Sequence, residues 1–200
     1  MSEKKRNQPP KNKSTTKTAP SPSWTFKSML EDRHPILKFL LGFLGCMAVF
    51  YLIYYSSFYQ TRLEPSILSV QANIGNGLLH LLGHDTKVVG AAIGSNNFSV
   101  DIQNGCDGLE AIAILVSGIL IFPASRRQKA TGLLWGVGIL FLLNLVRIAG
   151  LYLTGLYFSK MVFDLLHVQG GFILFTMISV LLLFTWMNWV MAQTTKTTAA

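Results

Sequence analysis

The chain has 200 residues, of which 50% are hydrophobic and only 13% are charged. This composition is typical of a membrane protein and excludes a soluble enzyme with a densely charged surface. The formal net charge of +8 does not indicate a partner made of nucleic acid, because nine of the 17 Lys and Arg residues fall within the first 38 residues. The two cysteines, Cys46 and Cys106, are too few for a disulfide scaffold.

The N-terminal segment, residues 1–30, is rich in Lys, Pro, Ser and Thr and cannot form an apolar core. We expect it to be a disordered, basic, cytoplasmic tail. A membrane domain is predicted over residues 31–192, followed by a second disordered tail over residues 193–200.

Apolar stretches of about 20 residues are long enough to cross a hydrocarbon core about 30 Å thick as helices. Three stretches satisfy this length, and a shorter fourth can span together with its flanks; in chain order the four are Ile36–Tyr59, Leu109–Pro123, Ala130–Leu153 and Gly170–Met191. The sequence therefore predicts an all-α integral membrane protein with about four transmembrane helices.

The positions of Lys and Arg predict the orientation of these spans. Cations near span ends stay in the cytoplasm, which places the N-terminal tail and the loop Ser125–Lys129 on the inner side. The first and third spans then run outward, and residues 154–168 lie outside. We expect a multi-pass protein of the bacterial inner membrane with a cytoplasmic N-terminus.

Two segments between the first and second spans are predicted to lie on the outer side. Ser66–Leu82 carries polar residues at helical spacing, which suits a helix in the membrane interface or one packed over a polar site; they are Ser69, Asn73, Asn76 and His80. In residues 87–104, Phe98, Val100 and Ile102 alternate with polar residues after the turn 94–97, which predicts a small β-hairpin.

Arg147 is unusual because it lies within the third predicted span. A cation inside a membrane helix is costly, and Asn144 lies one turn earlier on the same face. Arg147 either reaches up to the lipid headgroups or belongs to a polar site. In the same span, Gly132 and Gly136 either provide a close-packing face or are ordinary glycines of a membrane helix.

Cys106 lies where the predicted hairpin ends and the second span begins. A thiol at a helix N-terminus faces unpaired N–H groups, which favour the thiolate, and the neighbouring glycines allow close approach of a substrate backbone. Asp107 and Glu110 are interpreted as first-turn capping residues. On its own, Cys106 is equally compatible with an inert residue near the interface.

His167 precedes the fourth span, and the predicted orientation brings it to the same membrane face as Cys106 and Arg147. A thiol, an imidazole and a fixed cation are the groups that acyl transfer requires. The thiolate attacks a peptide carbonyl, the imidazole protonates the leaving amine, and the guanidinium stabilises the thiolate or the oxyanion.

At these residues the chain resembles the exosortase/archaeosortase family, over roughly residues 87–191. The matching motifs are Cys106-Asp107-Gly108-Leu109 at a helix start, Asn144-Leu145-Val146-Arg147 in a later span, and His167 before a final span. With about four spans, the chain is similar in size to the exosortase H type. The early helices of longer family members are missing.

The resemblance implies a membrane cysteine protease or transpeptidase that cleaves a C-terminal sorting signal from membrane-anchored proteins. That signal consists of a short motif, a transmembrane helix and a basic tail. Cys106 would form a thioester, His167 would be the acid/base and Arg147 the electrostatic partner, with Asn144 and Gly108 in support. No metal and no cofactor are implied, and the sequence does not specify the acceptor or the oligomeric state.

Two other functions remain open from the residues. His80 and His84 have a helical ligand spacing and, with Asp85 or Cys106, could form the metal site of a membrane hydrolase. A non-catalytic assembly or transport subunit would explain the four spans and Arg147, but it leaves Cys106 without a role.

Overall fold

The computed structural model of the chain describes residues 26–95, 98–102 and 105–198. The chain divides into two compact units, Met1–Pro35 and Ile36–Ala200, and the fold described below is that of the second unit. Most of the predicted N-terminal tail, residues 1–25, lies outside the described residues. The predicted division into tails and a membrane domain stays a prediction.

The described residues are mostly helical. Two π-helical turns, Tyr59–Leu63 and Leu165–Gly170, lead directly into the helices that follow them. The six α-helices are α1 Phe26–Tyr54, α2 Glu64–Leu81, α3 Leu109–Ile121, α4 Arg126–Tyr157, α5 Lys160–Asp164 and α6 Gly171–Thr198. The last of these extends into the segment that was predicted as a C-terminal tail.

Three helical segments in the described part of the chain are long and apolar enough to cross a membrane: Ile36–Tyr54, Arg126–Tyr157 and Lys160–Gln193. The apolar helix α3 has only 13 residues, or about 20 Å of length. The chain is thus a mostly helical membrane protein, in agreement with the predicted fold class. The number of about four crossings stays a prediction, because α3 is shorter than the bilayer core.

Helix α4 is longer than the predicted span at both ends. Its N-terminus is fixed by a capping box, in which the Ser125 hydroxyl accepts from the Gln128 N–H and the Gln128 side chain accepts from the Ser125 N–H at 2.9 Å. The loop predicted over Ser125–Lys129 is therefore largely the first turn of α4. Arg126, Arg127 and Lys129 therefore lie in a helical turn rather than in a loop.

Helices α3, α4 and α6 pack around one apolar cluster, whose larger members include Leu115, Ile119, Leu140, Phe175, Leu183 and Trp186. The missing side chain of Gly132 leaves room for the Trp186 indole of α6, and that of Gly136 leaves room for Leu115 of α3. The two glycines therefore form a close-packing face, and it is used within the molecule against two different helices.

A three-stranded antiparallel sheet lies between α2 and α3 in the chain. Its strands are β1 Lys87–Val89, β2 Ala92–Gly94 and β3 Ser99–Asp101, in the order β1-β2-β3. The predicted hairpin had only two strands. The sequence pattern did not reveal the turn at Gly90, where a φ of +64° folds the apolar stretch 88–93 back on itself. Residues 96, 97, 103 and 104 of the predicted hairpin lie outside the described residues.

Helix α2 packs against the sheet and α4 through a face that includes Leu68, Gln71, Ala72, Gly75 and Leu79. The predicted polar stripe lies outside this buried face, and Asn73 in the stripe is exposed. The apolar side chains of this face join a second cluster that also contains Ile93, Val100, Cys106 and Ile148. This cluster holds Cys106 between α2, the sheet and α4.

Candidate active site

Cys106 lies in the short connection from β3 to α3 and is buried, with 8% of its surface exposed. Two glycines flank it in the left-handed region, Gly105 with a φ of +83° and Gly108 with a φ of +73°. Residues with a Cβ rarely adopt this conformation, so the glycines permit the tight turn that brings Cys106 to the start of α3. Gly108 is the N-cap residue of that helix.

Arg147 of α4 reaches Cys106 with both terminal nitrogens of its guanidinium. The Nη2 atom lies 3.6 Å from the Cys106 Sγ, and Nη1 lies 3.5 Å from the Cys106 carbonyl oxygen. The same Nη2 atom is 3.3 Å from the carbonyl oxygen of His167, and the guanidinium lies over the Phe175 ring at 5.5 Å. Arg147 thus contacts the segments that carry both other candidate residues.

His167 lies in the π-helical turn before α6. Both of its ring nitrogens are 3.9 Å from the Cys106 Sγ, so the sulfur lies on the plane that bisects the two nitrogens. The imidazole must turn to direct either nitrogen along a short hydrogen bond to the sulfur. Its face stacks on the Phe163 ring, with 5.2 Å between centroids and 10° between planes.

The two predicted supporting residues contact each other. Asn144 is 1% exposed, and a Cβ on Gly108 would lie 3.1 Å from its Cγ. A second close approach was not predicted: a Cβ on Gly171, the first residue of α6, would collide with the Arg147 guanidinium. Both glycines line a narrow crevice beside Arg147 that also reaches Phe175.

Two residues around Cys106 were not among the predicted site residues. Gln71 of α2 donates from Nε2 to the Asp107 carbonyl oxygen at 2.9 Å, and its Oε1 accepts from Asn144 Nδ2 at 3.4 Å. The Tyr54 hydroxyl at the end of α1 donates to Asp107 Oδ2 at 3.2 Å and accepts from the Gly105 N–H at 3.3 Å. A signal existed only for Gln71, as an amide within the otherwise apolar face of an amphipathic helix.

Asp107 has the predicted capping role, because its Oδ1 accepts from the Leu109 N–H at 3.1 Å in the first turn of α3. Burial raises the pKa of the Asp107 carboxyl above its usual range, while the hydrogen bonds from Leu109 and Tyr54 oppose the rise. The other predicted capping residue, Glu110, accepts from the Tyr51 hydroxyl at 3.4 Å. These contacts join the start of α3 to the end of α1.

The two histidines proposed as alternative metal ligands have other contacts. His80 donates from Nε2 to the Thr86 carbonyl oxygen at 2.7 Å, and His84 packs edge-on against Tyr152 at 6.1 Å. Within the described residues, no three His, Cys, Asp or Glu side chains come together as a metal site would require. The metal-site interpretation gains no support from this arrangement.

The structure therefore brings Cys106, Arg147 and His167 together from the start of α3, from α4 and from the turn before α6. A family model described as transmembrane exosortase (Exosortase_EpsH) matches residues 34–184, a range that includes all three. No curated protein and no solved structure matches the chain.

Proposed function

The chain belongs to the transmembrane exosortase family, and on that basis we propose that it is a cysteine transpeptidase that cleaves C-terminal sorting signals from membrane-anchored proteins. The observation that carries the proposal is the convergence of a guanidinium and an imidazole within 4 Å of one sulfur. Each group comes from a different part of the chain, and together they supply a nucleophile, an acid and an electrostatic partner.

Arg147 is proposed to stabilise the thiolate of Cys106. Its Nη2 contact with Sγ, at 3.6 Å, is shorter than either sulfur–imidazole distance of 3.9 Å. A fixed positive charge beside the sulfur favours the ionised form, and the N-terminus of α3 acts in the same direction. Arg147 remains charged throughout, so it can also stabilise the oxyanion that forms later.

His167 is proposed to be the general acid. The thiolate attacks the peptide carbonyl carbon and forms a C–S bond, which gives a tetrahedral oxyanion. As the C–N bond breaks, the imidazolium donates its proton to the leaving amine, and the acyl group remains on Cys106 as a thioester. A nucleophilic acceptor then takes the acyl group and regenerates the thiol.

The position of Arg147 along α4 supports a site at the outer membrane face. Arg126, at the basic end of the helix, precedes Arg147 by a length of about 31 Å. This is close to the thickness of the hydrocarbon core, so a helix that crosses the bilayer along its normal can hold these two residues at opposite boundaries. If the basic end faces the cytoplasm of a bacterium, the site faces the outer side of the inner membrane.

The proposal is tested by co-expression with a tagged protein that ends in a short motif, a transmembrane helix and a basic tail. We expect wild-type enzyme to shorten the tagged protein, and Cys106→Ala, Arg147→Ala and His167→Ala each to lower processing at least about 100-fold. Cys46→Ala is the matched control, because Cys46 lies in α1 away from these residues, and it should process normally. Unchanged processing by Cys106→Ala would reject the mechanism and favour a non-catalytic membrane subunit.

A further inference from the structure

Contacts around Cys106 form a closed ring. From Cys106 the backbone leads to Asp107, whose carbonyl oxygen accepts from Gln71 at 2.9 Å. The other end of the Gln71 amide accepts from Asn144, and one helical turn separates Asn144 from Arg147. Arg147 closes the ring through its contacts with the sulfur and the carbonyl oxygen of Cys106.

Gln71 is the one link in this ring that comes from neither the Cys106 segment nor α4. It is 3% exposed and lies on the apolar face of α2. A primary amide can donate and accept at the same time, and both functions of Gln71 are engaged, one toward each side of the ring. An apolar side chain at this position would leave the Asn144 amide and the Asp107 carbonyl without these partners, at a cost for each buried group.

We propose that Gln71 is a positioning residue of the active site, whose amide holds the Cys106 segment at a fixed distance from Arg147. This inference rests on the proposed function, since it assigns the ring a purpose in thiolate formation. The attraction between a sulfur anion and a guanidinium depends on their separation, and water that entered a loosened ring would screen it further. Gln71 therefore controls the thiolate fraction of Cys106 through the position of the backbone next to it.

The experiment measures the alkylation of Cys106 by iodoacetamide as a function of pH, with the full chain in membranes. Cys46→Ala is the background, so that Cys106 is the single thiol. Gln71→Leu removes both hydrogen bonds, and Asn73→Leu, two residues along the same helix and exposed, is the matched control. Gln71→Asn, whose shorter side chain cannot reach both partners, serves if Gln71→Leu does not accumulate in membranes.

We expect Gln71→Leu to lower the alkylation rate at neutral pH roughly tenfold and to move the half-maximal rate to higher pH, because the thiolate alone reacts. Asn73→Leu should match the background protein. Processing of the tagged substrate at neutral pH should fall with the alkylation rate, and the alkylation rate itself should recover as the pH rises. A defect in folding alone would not be recovered in this way.

Two results are contradictory to the inference, and both are distinct from failure of the proposed function. If Gln71→Leu keeps the background pH profile of alkylation, or is alkylated more slowly by the same factor at every pH, Gln71 does not act through the thiolate. Failure of the proposed function gives a different result: the substrate is still processed by Cys106→Ala, both with Gln71 and with Leu at position 71.

Discussion

Small residues determine how closely the candidate active-site groups approach one another. The guanidinium of Arg147 occupies the space that a side chain on Gly171 would need, and the Asn144 amide packs directly on Gly108. Interiors this closely packed accept an added methyl group only if a neighbour moves. At Gly171 the neighbour that must move is the proposed electrostatic partner of the thiolate.

We therefore expect Gly171→Ala to impair catalysis. The added Cβ displaces the guanidinium from Cys106, and we expect processing to fall roughly tenfold or more while the protein still inserts. The control is Gly150→Ala, which adds the same methyl group to α4 where nothing lies within 4 Å. Equal processing by the two variants would show that Arg147 tolerates displacement.

At the scale of elements, apolar length and charge predicted where the helices lie but not how each is rotated. Gln71 shows the difference: the sequence pattern selected the polar stripe at Ser69 and Asn73, whereas the site uses the amide on the apolar face. Whether a polar side chain in such a face is buried depends on its tertiary partners, which local periodicity does not contain.

Local conformation explains the other differences between the predicted and observed elements. Periodicity does not reveal the left-handed turn at Gly90, so the sequence predicts a hairpin rather than three strands. Helix α4 starts earlier than its apolar run because the capping box at Ser125 stabilises a polar first turn. Cation placement predicts that Cys106, Arg147 and His167 share one membrane face, and this stays a prediction; the structure shows that the three side chains lie close together. The distances between the three side chains could not be predicted, because they depend on how each helix is rotated.

The segment α5 and the turn after it carry His167, and aromatic packing attaches this segment to the sheet region. The Phe163 ring stacks on the imidazole, and Phe98 packs edge-on against Phe163 at 5.8 Å. Phe98 in turn occupies the space beside Gly155 of α4. The orientation of the imidazole plane therefore depends on a row of rings that begins at the end of the sheet.

We expect Phe163→Leu to impair proton donation by His167 and to leave thiolate formation at Cys106 unchanged. Loss of stacking frees the imidazole plane, so processing should fall about threefold to tenfold, in line with the strength of an aromatic pair. Alkylation of Cys106 should stay unchanged, because Arg147 rather than His167 is proposed to stabilise the thiolate. Phe158→Leu, an exposed aromatic residue at the end of α4, is the control. A parallel loss of alkylation would assign His167 a part in thiolate formation.

On the scale of the whole molecule, the basic start of α4 and the small sheet define two ends. The sheet and α2 pack against the C-terminal half of α4 through residues such as Ile148 and Tyr152. The exposed cations Arg126 and Arg127 lie at the opposite end of that helix. If α4 crosses the bilayer, these two regions lie in different compartments.

Labelling single cysteines in intact cells tests this orientation. In a chain lacking Cys46 and Cys106, we expect Ser99→Cys on β3 to react with a membrane-impermeant maleimide added outside. Arg127→Cys should react only after the membrane is permeabilised, because the basic end of α4 stays in the cytoplasm. Both positions are exposed, so burial does not complicate the comparison. The opposite labelling pattern would place the proposed site in the cytoplasm.

The three candidate groups come from separate parts of the chain, with His167 about 60 residues after Cys106 and just before the last helix. Because a ribosome delivers the polypeptide from its N-terminus, the sulfur and the guanidinium leave the ribosome before the imidazole does. A nascent chain halted before residue 160 would hold the proposed nucleophile but not the proposed proton donor for a departing amine. We therefore expect the newly synthesised protein to be unable to perform the proposed cleavage of neighbouring membrane proteins until its final helix has left the translocon.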